Sequence, residues 1–150
     1  AWAGWSAPEA AIAELEKLAQ NLYICAPHMA QVAALAAFGE ESLAICETRR
    51  GAFQARRNFL LPALRDLGFE IPVTPDGAFY LYADTSRLGG DSAQLCQHMI
   101  ETQQVAFTPG LDFGFHRANQ HVRFAYTTSL ERLEMAVARL QQGLRNWPEC

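Results

Sequence analysis

Apolar positions along this chain recur first at helical spacing and then in short strand-like runs. Ser6-Ala-Pro-Glu9 reads as a capping box, with the Ser6 hydroxyl taking an N–H three residues on and Glu9 reaching back. Ile12, Leu15, Leu18, Ala19 and Leu22 then keep one helical stripe, and Lys17 lies off it, facing solvent. Pro27 opens a second helix with Met29, Val32, Ala33, Ala36 and Phe38 inward, and Gly39 ends it. From about Ser42 a long amphipathic helix is expected, with Ile45, Cys46, Phe53, Leu60 and Leu64 on one face. Arg49, Arg50, Arg56 and Arg57 fall nearer water, Pro62 is expected to kink or split the helix, and Gly68 to close it.

The period changes after Gly68. Phe69 to Val73 reads as a short strand, Pro75-Asp76-Gly77 as a turn, and Ala78 to Ala83 as an aromatic-rich strand. Asp91 or Ser92 caps a helix carrying Leu95, Met99 and Ile100. Val105 to Thr108 and His121 to Tyr126 give two more strands joined by a glycine-containing loop. Thr128-Ser-Leu-Glu131 is a second capping box, opening a helix with Leu130, Leu133, Val137, Leu140 and Leu144 on one face. The order predicts an α+β fold, a small and mainly antiparallel sheet covered by helices.

Composition narrows the function classes. The 150 residues are 50% apolar, enough for one domain with a real core, and no basic block interrupts a net charge of -4. No nucleic-acid partner and no membrane are expected, because basic tracts and long unbroken apolar runs are both missing. Cys25, Cys46, Cys96 and Cys150 are irregularly spaced and read as reduced, mostly buried residues of a cytoplasmic protein. Lys17 is the single lysine.

Chemistry concentrates between Val105 and Thr128. Arg123 stands in an apolar strand pattern, Val122-Arg-Phe-Ala-Tyr126. A charge among such neighbours calls for an anionic partner, and a guanidinium fits a carboxylate bidentately. That partner is either a ligand or one of the 16 acidic residues of the chain. Asp112-Phe-Gly114 spells the metal-binding triplet of kinases, but no other kinase motif accompanies it. Pairs such as Cys25 with His28, Cys96 with His98 and His116 with His121 have no second matching pair, so no metal site is expected. Thr108-Pro-Gly110 leaves a strand end, where loops commonly line a cleft, and Gly77 leaves room before the aromatic strand for close approach by backbone or ligand; taken singly, each reads first as plain turn chemistry.

Taken together, Pro75-Asp-Gly-Ala-Phe-Tyr80, Val105-Ala-Phe-Thr-Pro-Gly110, Asp112-Phe-Gly114 and Val122-Arg-Phe-Ala-Tyr126 closely resemble the C-terminal part of class I/II aminotransferases. These are pyridoxal-phosphate enzymes of the aspartate-aminotransferase fold. Gly4-Trp5-Ser-Ala-Pro8 and Gln20-Asn21-Leu22 resemble the family segment just after its cofactor lysine. The resemblance covers essentially the whole chain. It implies residues 1–41 as connecting helices with the remainder of a large domain, and residues 42–150 as the C-terminal small α+β domain.

The resemblance also implies roles. Arg123 would grip the substrate α-carboxylate, while Phe79, Tyr80 and Gly110 would line the substrate entrance. The Schiff-base lysine, the aspartate facing the pyridine nitrogen and the phosphate loop would lie upstream of this chain. A phosphate-contacting arginine would align near Trp2. This chain therefore carries no catalytic and no cofactor-binding residue on this reading, and is expected to be inactive alone. The parent is expected to be a homodimeric, cytoplasmic transferase of amino acid metabolism, moving an amino group between an amino acid and a 2-oxo acid. A stand-alone, non-catalytic binding domain with Arg123 in an internal salt bridge is the alternative. Nothing in the sequence marks a second arginine for a dicarboxylic substrate, although Arg87 and Arg117 fall in loops.

Overall fold

A computed structural model describes residue 4 and residues 6–147. The readings at Trp2, Trp5 and Cys150 lie outside the described residues. The chain divides into two compact units, one up to Glu47 and one from Thr48 on. The boundary expected at residue 42 and the division at Thr48 both fall in the N-terminal part of one long helix.

The first unit holds α1 (Glu9–Leu22), α2 (His28–Ala37) and the start of α3 (Glu40–Asp66). α1 does not use the expected capping box. Pro8 occupies its N-cap and no side chain caps the end. A proline disfavours helical geometry in the residue before it, so Ala7 stays outside the helix, which begins after Pro8 rather than after Ser6. Pro27 starts α2 as expected. Neither helix buries a residue, and the stripes expected to point inward leave Leu22, Met29, Val32 and Phe38 exposed. Cys25 and Cys46 are also exposed rather than buried, and both are free thiols, as is the half-buried Cys96.

α3 continues through Pro62 without splitting. The proline is exposed, so the loss falls on the solvent side, where water can replace the missing donor for the Asn58 carbonyl. Leu60, Leu61 and Leu64 on either side are buried and hold the helix in place. Ile45 stays half exposed, so the buried face begins only at Phe53. Gly68 ends the helix at φ 96°, where a left-handed turn lets the Phe69 N–H donate to the Leu64 carbonyl at 3.1 Å.

Three strands form the sheet: β1 (Tyr80–Asp84), β2 (Thr108–Pro109) and β3 (His121–Ala125). They are antiparallel in the order β1-β3-β2. The strand expected at Phe69–Val73 shrinks to one bridge, Glu70 to Asp84, because Pro72 has no N–H for a ladder. The pairing expected at Val105–Thr108 begins only at Thr108.

Alternation puts Leu81, Ala83, Val122 and Phe124 on the buried face, against α3, α4 (Ser92–Gln103) and α5 (Leu130–Arg145). Phe124 anchors this layer, 5.0 Å from the Phe69 ring and 4.6 Å from Phe107. Asp91 caps α4 by accepting the Ala93 N–H at 2.8 Å; Leu95 and Met99 are buried while Ile100 turns outward. Ser129, one residue later than expected, caps α5 by accepting from the Arg132 N–H. Gly143 lets α4 and α5 meet, since a Cβ there would lie 2.5 Å from Met99 Sδ. The result is the expected α+β domain, a small antiparallel sheet with helices on one face.

Candidate functional site

The other face of the sheet carries the polar and aromatic side chains. Period-two alternation sends Tyr80, Tyr82 and Asp84 from β1 to this face, together with His121 and Arg123 from β3. Tyr82 sits directly opposite Arg123, and Thr108 flanks Arg123 from the other strand. Arg123 is therefore the central residue of a three-stranded sheet, with strands on both sides.

Its environment is aromatic rather than acidic. The Tyr80 ring centroid lies 5.6 Å from the guanidinium carbon and the Phe113 centroid 4.4 Å. The Nε of Arg123 is buried and has no hydrogen-bond partner. Among the described residues no carboxylate pairs with Arg123; the acidic groups nearby are engaged elsewhere. Arg117 binds Asp84 at 2.8 Å, and Arg87 pairs with Glu70 at the surface. Both loop arginines thus have acidic partners, and Arg123 does not.

Asp84 organises the far end of this face. Its carboxylate accepts from the Ser86 N–H at 2.8 Å and from Arg117, with His121 Nε2 at 3.8 Å. Burial alone would raise its pKa. The Ser86 hydrogen bonds and the charges of Arg117 and His121 outweigh that and hold it below the ordinary carboxylate value. His121 stacks on Tyr82 at 5.0 Å with the rings 11° from parallel. An open cleft of about 780 Å³ runs along this edge, lined by Val73, Tyr80, Tyr82, Asp84, Arg117 and His121.

The remaining expected site residues fall around this centre. Phe79 is half exposed and edge-on to Tyr80 at 5.6 Å. Gly110 is buried beneath the loop, where a Cβ would lie 2.4 Å from the Ala118 carbonyl and 2.8 Å from Tyr82 Oη. Gly77 carries no such crowding, but its carbonyl lies 3.4 Å from Tyr126 Oη. Burial pushes the Tyr126 phenol up, against the Arg57 charge and with Tyr80.

Sequence reasoning passed over Tyr82, His121 and Phe113. Alternation from Tyr80 and from Arg123 marks the first two. Phe113 lies in the Asp112-Phe-Gly114 motif, but its approach to Arg123 depends on how the loop folds back. Among the described residues no cluster of three metal-ligating side chains occurs, and Lys17 is exposed on α1.

A sequence model described as aminotransferase class I and II matches residues 3–140. A valine–pyruvate aminotransferase of Mycobacterium tuberculosis is 34% identical over 85% of this chain and 33% of its own length. An aspartate/prephenate aminotransferase of Thermus thermophilus is 40% identical over 70% of this chain and 26% of its own. The crystal structure of an aminotransferase from Mycobacterium tuberculosis superposes with a TM-score of 0.83 at 32% identity, covering 93% of this chain and 36% of that one. The chain thus spans about a third of the length of these relatives.

Proposed function

The chain belongs to the class I and II aminotransferase family, and from that membership we propose that it is the small domain of an enzyme moving an amino group from an amino acid to a 2-oxo acid. In this reading Arg123 binds the substrate α-carboxylate. One observation carries it: a strand-mounted guanidinium with a buried, unpartnered Nε, flanked by rings and by no carboxylate. A cation so placed is costly to leave unmatched, and a planar carboxylate answers two of its donors at once. The salt bridge that a purely structural role for Arg123 calls for does not occur among the described residues.

The relatives' names support the same assignment. Valine, pyruvate and aspartate share only a carboxylate beside the carbon that exchanges nitrogen, and that shared group is the one Arg123 would hold. A fixed carboxylate sets which face of that carbon meets the catalytic groups, and such positioning supplies much of the rate in reactions of this kind. Phe79 and Tyr80 line the approach, and Gly110 supports it from below.

Pyridoxal phosphate belongs to this reading as the electron sink that the family's chemistry requires. The residues present do not fit a cofactor cradle, since no lysine stands on the Arg123 face and Lys17 is exposed in the other unit. Its ligands would lie in parts of the protein beyond this chain, and the isolated chain would be inactive. Cytoplasmic location and a homodimeric state complete the proposal, supported by three free cysteines and by the exposed apolar helices.

The test uses the full-length protein containing this segment. Arg123→Ala and Arg123→Lys should each lower kcat/KM for amino acids by roughly 30- to 900-fold, the equivalent of about 2–4 kcal/mol, since lysine cannot reproduce the fork. Unfolding midpoints should stay close to wild type. Near-native kcat/KM in both variants, or turnover by the isolated chain, would overturn the assignment.

A further inference from the structure

Arg123 needs a fixed orientation as well as an anion to bind, and the way it is held differs from an ordinary ion pair. A carboxylate that oriented the guanidinium would also occupy its donors and compete with any incoming acid. An aromatic face attracts the cation through its quadrupole and leaves every N–H free. Phe113 offers such a face at 4.4 Å, closer than Tyr80 at 5.6 Å.

The loop that carries Phe113 is fixed at its base, while the ring itself stays about half exposed. Gly110 packs so tightly that a Cβ would meet two backbone oxygens, Ala118 at 2.4 Å and His121 at 2.9 Å. The Phe113 N–H donates back to the Gly110 carbonyl at 2.9 Å, closing a tight turn. Tyr82, opposite Arg123 in the sheet, meets the Phe113 ring edge-on at 6.3 Å and 82°, and is itself stacked on His121. The sheet thus sets Tyr82, Tyr82 sets the Phe113 ring, and that ring faces the guanidinium.

We infer that Phe113 is the positioning residue of the carboxylate site: its ring orients Arg123 with the donor fork free, so that the site is preorganised for an acid before one arrives. This rests on the carboxylate reading of Arg123. Its predicted signature is electronic, because a ring that only filled space would be indifferent to its own charge distribution.

The experiment replaces Phe113 in the full-length protein by Leu, Tyr and Trp, and by mono-, di- and trifluorinated phenylalanine, with Arg123→Ala alongside. Phe113→Leu should lower kcat/KM for amino acids roughly 5- to 30-fold, mainly by raising KM, and the Tyr and Trp variants should recover most of it. Successive fluorination, which drains the ring face while barely changing its shape, should lower kcat/KM in graded steps. Loss of activity in Phe113→Leu with a flat fluorination series would reduce the ring to packing and overturn the inference. So would a native Phe113→Leu beside a crippled Arg123→Ala, which leaves the carboxylate reading standing. A native Arg123→Ala would instead overturn the carboxylate reading and this inference with it.

Discussion

At the residue scale, Asp84 is the group whose protonation the structure reports most directly. Its folded pKa is depressed, so its contribution to stability is present above the ordinary carboxylate range and is lost as pH falls through the folded value. Wild type should therefore lose urea resistance below about pH 4 more steeply than Asp84→Asn, which keeps the Ser86 contact without the charge. Parallel acid limbs in the two proteins would assign the loss to other carboxylates. The Cys96 thiol moves the opposite way: burial, reinforced by Asp112 and Asp91, pushes it up to about 12. The importance of Arg123 was legible in the sequence because one charged letter interrupts an apolar strand. Its lack of an acidic partner was not. That depends on which side chains the folded strands and loops bring to its face, where Tyr80 and Phe113 stand beside it and Asp84 and Glu70 pair with Arg117 and Arg87.

At the element scale, the strong periodicities translated into structure and the weak boundaries moved. α4 and α5 form where their apolar stripes put them, with the α5 cap one residue late and Ile100 and Leu130 exposed, while the readings at Ser6 and at Phe69–Val73 met a proline each. A cap is real only if the next residues can turn helical. Asp91→Ala should thus cost about 1 kcal/mol, because it leaves the first N–H groups of α4 unmet, whereas Ser6→Ala should change stability by less than about 0.5 kcal/mol. Urea titration of the two variants distinguishes them, and equal losses would restore the capping role of Ser6. Pro62 teaches the complementary lesson. A breaker inside a helix is tolerated when buried leucines hold both flanks and water reaches the vacated carbonyl.

At the scale of the whole molecule, the two units differ in what they bury. The unit from Thr48 on has a continuous core from Leu60 to Leu140, but α1 and α2 bury no residue. Leu22, Tyr23, Ile24, Met29 and Leu35 are each more than two-thirds exposed, a density of apolar side chains that a soluble monomer rarely leaves open. We propose that these helices pack on parts of the full-length protein that this chain does not contain. The isolated chain should accordingly self-associate in sedimentation and bind a hydrophobic dye, and removal of the residues before Ser42 should abolish both. A monodisperse monomer that binds no dye would count against this packing. Leu22 and Met29 belong to stripes that the spacing marks as apolar faces, and helical spacing reports that a face is apolar, not what covers it.

The short strand β2 has a consequence for how such association can proceed. It is only two residues long and contains Pro109, so that border of the sheet has no ladder to offer another strand. The opposite border, along β1, is touched among the described residues only at Asp84 by the Glu70 bridge, so an extra strand could add there. A sheet with a single open border can pair once, with a segment of its own protein or with a second copy, and then stops. Edge-to-edge growth of the folded sheet requires two open borders, so folded copies joined through this sheet should stop at pairs.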